Sequence, residues 1–314
     1  MAICHVLGFH RIRSCAGNPH GRSPLVASSA VAERLSILDG VRERFAASTD
    51  FTVGLEEEYQ LLDPATCRLI PRFNDLVDAA PADLAPHLAG ELISSEIEYR
   101  TVAHPGFVDA ARDLCAGRLA VAALSAAQGV AIGITGCHPF SRWQDQQIID
   151  TPHYQRVEDE LGYIAWINNT WSQHLHVGIR DADRAIAICT AMRSVLPEIL
   201  ALSANSAVYE GRLTRLHSTR TSLFTRSFPR CGIPDPLRDF AEYEEFVHLL
   251  ERTGSVVEST QIWWSIRPHH RFGTIEVPAP DRYIRQAIQI TGEYSGAEID
   301  LYQALLRPSD VAID

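Results

Sequence analysis

The sequence contains no lysine: all 28 of its basic residues are arginine. That absence excludes two enzyme classes. A Walker A loop needs the lysine of its Gly-Lys-Ser/Thr end to reach nucleotide phosphates, and pyridoxal enzymes need a lysine for their Schiff base. Any nucleotide held by this chain must have its phosphates neutralised by arginine and metal ions, arginine being suited to bidentate contacts with phosphate oxygens. Other absences narrow the field. No run of about eighteen uncharged apolar residues occurs, so no membrane span is expected. A formal net charge of -11 denies the chain the basic footprint of a nucleic-acid-binding surface. The cysteines (Cys4, Cys15, Cys67, Cys115, Cys137, Cys189, Cys231) include no Cys-x-x-Cys pair, which is the pattern of reduced thiols in a cytoplasmic protein. No Gly-x-Gly-x-x-Gly opens a helix and no His-Glu-x-x-His is present, so neither a dinucleotide fold nor the common zinc-protease helix is expected.

What is present is a globular composition, 46% hydrophobic and 21% charged over 314 residues, enough to bury a sizeable core. Residues 1–48 read as an N-terminal extension, disordered or part helical. Residues 1–32 carry no acid, three Arg and several Ser. That composition resembles a transit peptide, and a misplaced start or a disordered extension fits it equally. A helical pattern over Val31–Ala47 leads into the domain. Residues 49–314 read as one domain. Strands are expected at Phe51–Pro64, Leu92–Val102, Val130–Thr135 and Ser172–Arg180, and as a hairpin from Gln261–Ile266 and Gly273–Pro278. Helices are expected at Phe73–Ala80, Phe107–Gln128, Tyr154–Asn168, Asp183–Leu202 (broken or kinked at Pro197), Phe240–Glu251 and Arg282–Leu306. The Ser/Thr/Arg/Gly/Pro-rich stretch Ser203–Pro236 reads as a long functional loop. Strands and helices do not alternate, so the fold class is α+β with a largely antiparallel sheet covered by helices.

The chemistry begins at Glu56-Glu57-Glu58. Side chains alternate along a strand, so Glu56 and Glu58 share one face and Glu57 takes the other. Two carboxylates on one face repel unless a cation lies between them or the strand is solvated, and Mg²⁺ favours such hard oxygen ligands. Glu96 and Glu98 repeat the arrangement on a second strand, with Glu91 just ahead, and Glu276 follows on a third. His174 and His176 also share a face. The His-x-His pair, with Cys137-His138 elsewhere, leaves a zinc site open. Ordinary polar packing and a place beside metal and nucleotide are open as well. Arg212, Arg215, Arg220, Arg226 and Arg230 punctuate the loop, and Arg267 and Arg271 flank the hairpin turn. Carboxylates beside several arginines are what a metal–polyphosphate complex requires, since both signs of charge must be balanced.

Ordered motifs then carry a resemblance. Gly54-Leu-Glu-Glu-Glu, Glu91-Leu-Ile-Ser-Ser-Glu-Ile-Glu and Gly136-Cys-His-Pro-Phe-Ser-Arg-Trp-Gln come first. His174-Leu-His-Val-Gly, Ser218-Thr-Arg-Thr-Ser-Leu-Phe and Phe228-Pro-Arg-Cys-Gly-Ile-Pro follow, and then Ile262-Trp-Trp-Ser-Ile-Arg-Pro and Phe272-Gly-Thr-Ile-Glu-Val. From Phe51 to Asp281 this set resembles the carboxylate–amine ligases of the glutamate–cysteine ligase type 2 family. The resemblance implies a glutamine-synthetase-like catalytic fold, a curved antiparallel sheet forming a funnel for ATP and Mg²⁺, with Mn²⁺ as the alternative ion. It implies metal ligands at Glu56, Glu58 and Glu276, and catalytic roles for Glu98, Arg220 and Arg267. It further implies cofactor contacts by His176, Arg271 and Ser218. The reaction implied is amide formation through an acyl phosphate, glutamate and cysteine being the substrates of the family name. The expected partners are therefore a small-molecule carboxylate and amine, with no nucleic acid or membrane, and a homodimer is left open. Two departures support an alternative, a degenerate relative that binds nucleotide or a partner without turnover. Pro278 stands where the family usually has arginine, and the chain ends soon after the hairpin, whereas relatives commonly continue through further helices. A zinc-dependent hydrolase is the third reading.

Overall fold

A computed structural model describes residues 36–279 of the chain. Its strands are β1 (Val53–Leu62), β2 (Leu88–Ala89), β3 (Glu96–Arg100), β4 (Ala131–Gly133), β5 (Gln173–Gly178), β6 (Val208–Tyr209), β7 (Arg212–Leu213), β8 (Arg267–His269) and β9 (Thr274–Ala279). The helices are α1 (Val41–Ala47), α2 (Phe73–Ala79), α3 (Phe107–Ala127), α4 (Pro152–Leu161), α5 (Tyr163–Trp166), α6 (Ala182–Met192), α7 (Leu196–Ser203), α8 (Thr219–Ser227) and α9 (Phe240–Arg252). The main sheet runs β2-β3-β1-β5-β9-β8, with β4 pairing to the end of β1. Every pairing in it is antiparallel, and β6 and β7 form a separate small ribbon. This is the α+β, antiparallel architecture expected from the sequence.

Strand alternation sorts the sheet into two faces. On one, Leu55, Tyr59 and Ile97 pack against Ala110, Leu114 and Val121 of α3. Further along the same face, Ile275 and Val277 join a cluster with α1, α6 and α9. Each such apolar side chain contributes about 1.5–3 kcal/mol when fully buried. Val41 and Phe45 of α1 belong to that cluster. The compact unit accordingly starts at Ser36, ahead of the boundary drawn at residue 49. Glycine is needed at two contact points. A Cβ on Gly117, in the middle of α3, would lie 2.1 Å from the Tyr99 ring, so the helix can press against β3 only there. Gly273, at φ 62°, makes the β8–β9 turn, where a Cβ would lie 2.6 Å from the Arg44 carbonyl oxygen.

Several elements differ from the sequence reading. The expected strand from Leu92 shortens to Glu96–Arg100, because Leu92 and Ile93 turn into a small core around Trp171. The expected helix over Tyr154–Asn168 breaks at Gly162, whose φ is 52°. The expected loop between Ser203 and Pro236 contains α8, which is started by the Ser218 side chain accepting the Thr221 amide. The expected strand over Gln261–Ile266 is not formed; the strand of the hairpin is Arg267–His269, so Arg267 lies within the sheet, opposite Glu276. The Asp183–Leu202 helix divides into α6 and α7, with Pro197 in the first turn of α7, a position where proline is tolerated. The expected helix Arg282–Leu306 lies outside the described residues. Among the described residues, no single helix is long and apolar enough to cross a membrane.

Candidate active site

The sheet face turned away from the helical core carries the acidic pattern. Cross-strand register places Glu58 opposite Glu98, Glu56 opposite His174, and His176 opposite Glu276, which in turn is opposite Arg267. These pairs form the floor of a cavity of about 480 Å³. Segments before β3, helices α4 and α8, and the chain leading into β8 supply its walls.

His174 is at the centre of the floor. Its Nδ1 lies 3.1 Å from Glu56 Oε2 and 3.4 Å from Glu276 Oε1. Its Nε2 lies 2.8 Å from the Ser172 hydroxyl and 3.8 Å from Glu58 Oε1. Burial alone would lower its pKa, but the hydrogen bond to Glu56 and the charges of Glu276 and Glu58 raise it to about 9. The His174 imidazolium thus supplies positive charge among the three carboxylates. His176 Nε2 lies 3.4 Å from Glu56 Oε1. Burial opposes ionisation of Glu56, yet the hydrogen bond with His174 and the neighbouring His176 imidazole outweigh it and hold its carboxyl well below the usual range. Glu276 follows the same logic: burial is overcome by Arg267, His176 and His174, which bring its pKa down to about 2. Arg267 grips Glu276 bidentately, with Nε at 2.9 Å from Oε2 and Nη2 on Oε1.

Towards β3 the balance reverses. Glu58 accepts the backbone N–H and the hydroxyl of Ser172, and Glu98 forms an ion pair with Arg100, Nε lying 2.8 Å from Oε2. Glu91 is pushed up to about 8 by burial and then by the charge of Glu58. Glu96 and Glu98 are raised by burial and by neighbouring carboxylates. Glu96 Oε1 is buried and has no hydrogen-bond partner. A buried anion cluster without counter-charge is costly. Glu56, Glu98 and His174 offer ligand atoms all within 4.8 Å of one another. Carboxylate oxygens with one imidazole suit Mg²⁺ or Mn²⁺ better than a soft metal.

The fold brings together Glu56, Glu58, Glu98, His176, Arg220, Arg267, Arg271 and Glu276, all of which line the cavity. Arg220 is buried, its guanidinium 4.8 Å from the Phe224 ring centroid. Arg271 is at the hairpin turn, 5.6 Å from the Phe272 ring centroid. Ser218 differs from the rest: its side chain caps α8, and it is not part of the cavity wall. Sequence reasoning left the His174/His176 pair open between zinc binding, polar packing and a place beside metal and nucleotide; the strand register sets His174 opposite Glu56. The aromatic residues Phe224, Phe228 and Trp263 also line the cavity, and they reach it through tertiary packing that no local pattern encodes.

A family model described as glutamate–cysteine ligase family 2 matches residues 52–286. A relative from Rubrobacter xylanophilus, provisionally named glutamate–cysteine ligase 2-3, is 38% identical over 239 residues, covering 76% of this chain and 66% of its own. One from Herpetosiphon aurantiacus, provisionally named glutamate–cysteine ligase 2, is 35% identical over 254 residues, covering 80% of this chain and 66% of its own. The chain therefore spans just under two-thirds of the length of these relatives. A solved structure, the bifunctional glutathione synthetase from Pasteurella multocida, superposes with a TM-score of 0.55 at 12% identity, covering 77% of this chain and 36% of that one. At that identity the likeness is one of fold.

Proposed function

The chain belongs to glutamate–cysteine ligase family 2, and from that premise we propose that it is an ATP-dependent ligase joining a carboxylate to an amine through an acyl phosphate. The observation that carries this reading is the convergence of Glu56, Glu58, Glu98 and Glu276 around His174 on one sheet face, with Arg220, Arg267 and Arg271 lining the same cavity. A substrate carboxylate oxygen attacks the γ-phosphorus of ATP and ADP departs. The amine nitrogen then attacks the acyl carbon, the bond to phosphate breaks, and the nitrogen loses a proton. Glu56, Glu58, Glu98 and Glu276, with His174 joining them only in its neutral form, would hold Mg²⁺ or Mn²⁺, which when bound neutralises polyphosphate charge. Arg267, fixed by its fork on Glu276, keeps that carboxylate in one orientation. Arg220 and Arg271 supply cationic contacts for phosphate or substrate carboxylate. Positioning and electrostatics carry such a reaction without a protein nucleophile. In keeping with this, burial raises the pKa of Cys231, the one thiol lining the cavity among the described residues, and keeps it protonated.

The test is ADP release from Mg²⁺-ATP with glutamate and a panel of amines. Amine-dependent release is the expected result, and no release with any amine would end the ligase reading. A second reading rests on Pro278, which faces the cavity opposite His174 and offers no charge. It describes a relative that binds Mg²⁺-ATP without turnover, and tight nucleotide binding with no ADP release would establish it.

A further inference from the structure

We infer that Ser172 is a positioning residue of the cation site. Its hydroxyl holds the His174 ring with Nδ1 turned to the carboxylates, and its hydroxyl and amide together fix the Glu58 carboxylate. The inference rests on the cation site of the reading above and deepens it with a residue that acts through two of the cation's ligands.

Ser172 lies just ahead of β5, and its backbone is held from both sides. The Glu58 amide donates to the Ser172 carbonyl at 3.2 Å. The preceding residue, Trp171, is fully buried in a small core with Leu92 and Ile93, and its amide donates to the Gly136 carbonyl at 3.0 Å. Ser172 is itself buried, yet it lines the cavity. A hydroxyl carried on so fixed a backbone has a defined position before any ligand arrives.

That hydroxyl has two neighbours and one hydrogen. Glu58 Oε1 lies 3.0 Å away and His174 Nε2 lies 2.8 Å away. A carboxylate that ligates a cation is ionised and can only accept, so the hydrogen goes to Glu58 and the oxygen lone pairs face Nε2. Nε2 therefore keeps a hydrogen and donates it to Ser172. The reverse arrangement would set the lone pairs of Ser172 against those of Glu58. Nδ1 is then the ring nitrogen able to offer a lone pair, and it is the one turned to Glu56 Oε2 at 3.1 Å and Glu276 Oε1 at 3.4 Å. A ligating histidine is oriented by whatever holds its second nitrogen, and here that partner is Ser172. The Ser172 amide meanwhile donates to Glu58 Oε2. Each Glu58 oxygen thus has a donor from the same residue, which keeps the carboxylate from turning.

Electron paramagnetic resonance of the full chain with Mn²⁺ tests this on wild type, Ser172→Ala and Ser172→Thr. Alanine keeps the backbone amide to Glu58 and removes only the hydroxyl, and Mn²⁺ affinity should fall by about 10-fold or more. Threonine returns the hydroxyl and should recover most of that affinity. An alanine variant within about twofold of wild type overturns the inference. So does threonine as weak as alanine at an unchanged urea midpoint. The readout that a merely structural serine would not move is the coupling of bound Mn²⁺ to a directly coordinated nitrogen, seen in the pulsed spectrum. Wild type should show the coupling, His174→Gln should abolish it, and Ser172→Ala at saturating Mn²⁺ should reduce it. Its absence from wild type, its survival in His174→Gln, or full strength in Ser172→Ala overturns the inference. Should threonine not fold, the coupling in Ser172→Ala decides alone. ADP release separates this inference from the reading beneath it. Release by wild type, with a nitrogen coupling that Ser172→Ala leaves intact, removes the inference and keeps the ligase. The expected Mn²⁺ effects without ADP release on any amine remove the ligase and keep Ser172 in its role.

Discussion

Glu57 is one peptide away from Glu56 and from Glu58, yet the two faces of β1 treat their carboxylates differently. On the helical face, Glu57 is buried with a counter-ion from within the fold. Arg118 of α3 reaches it with Nε at 3.0 Å and Nη2 at 2.8 Å, and the Tyr59 hydroxyl donates to it as well. On the open face, Glu56, Glu58, Glu91, Glu96 and Glu98 crowd into one cavity with His174 and Arg100 as cationic partners. The helical face is a closed account of charge, complete in the polypeptide, whereas the open face is left short of positive charge. A carboxylate fully paired within the protein serves the fold, and a cluster left short of cations points to a ligand.

The largest effect should come from the open face. Glu276→Gln keeps the shape of the side chain and an acceptor for Arg267 but removes a charge from the proposed cation site. Turnover in the ADP-release assay should fall by about a thousandfold or more, on the order of 4 kcal/mol of transition-state stabilisation, with an unchanged far-UV spectrum. Near wild-type turnover would remove Glu276 from the site. The helical face should behave the opposite way. Arg118→Ala leaves Glu57 buried without its cation, so stability should drop by about 3–4 kcal/mol. Cation affinity measured below the melting transition should hold. A loss of Mn²⁺ affinity with intact stability would erase the distinction between the two faces.

The pH dependence of the metal-free protein separates them again. His174 is raised from 6.5 to about 9 in the folded state. A histidine shifted in that direction contributes stability that is complete below pH 6.5 and is lost as pH rises through about 9. Glu91, raised from 4.5 to about 8, acts in the same direction, because the folded protein resists its ionisation as the solution becomes more alkaline. The unfolding free energy of the metal-free chain, measured with urea, should therefore begin to fall above about pH 4.5 through Glu91 and go on falling to about pH 9, His174 alone accounting for on the order of 3 kcal/mol. Added Mn²⁺ should flatten the dependence, since binding to the folded state alone stabilises it. A flat profile without metal would mean that the open face is already balanced.

Much of this comparison was legible in the residues. Strand alternation put Glu56 and Glu58 on one face and Glu57 on the other, and it grouped Glu96 with Glu98 and His174 with His176. The register between strands was not legible, and register is what makes His174 the hub by setting it opposite Glu56. The hairpin was misjudged for a related reason. Ile262-Trp-Trp-Ser-Ile reads as a strand by composition, yet its aromatic residues are used in tertiary packing against Phe228 and Phe246, and β8 begins only at Arg267. Helix α8 was hidden by its composition, since Thr219-Arg-Thr-Ser-Leu-Phe-Thr-Arg-Ser has little helical periodicity and depends on its cap. The partner of Glu57 could not be read locally, because Arg118 lies 61 positions further along the chain.

Ser218 gives the smallest effect and a clean division between fold and ligand. Its motif placed it with the nucleotide contacts, but its hydroxyl oxygen accepts the Thr221 amide at 3.2 Å and starts the helix that carries Arg220 and Phe224 into the cavity. Ser218→Ala should cost about 1 kcal/mol of stability and leave the affinity for a non-hydrolysable ATP analogue within about twofold, since a lost cap shifts the folding equilibrium and not the contacts of the folded site. Ser218→Asp, which can also accept that amide, should restore most of the stability. If alanine instead weakened the analogue by about tenfold with no change in the urea midpoint, the hydroxyl would be a ligand contact. The line between residues that complete the fold and residues that await a ligand would then have to be redrawn through α8.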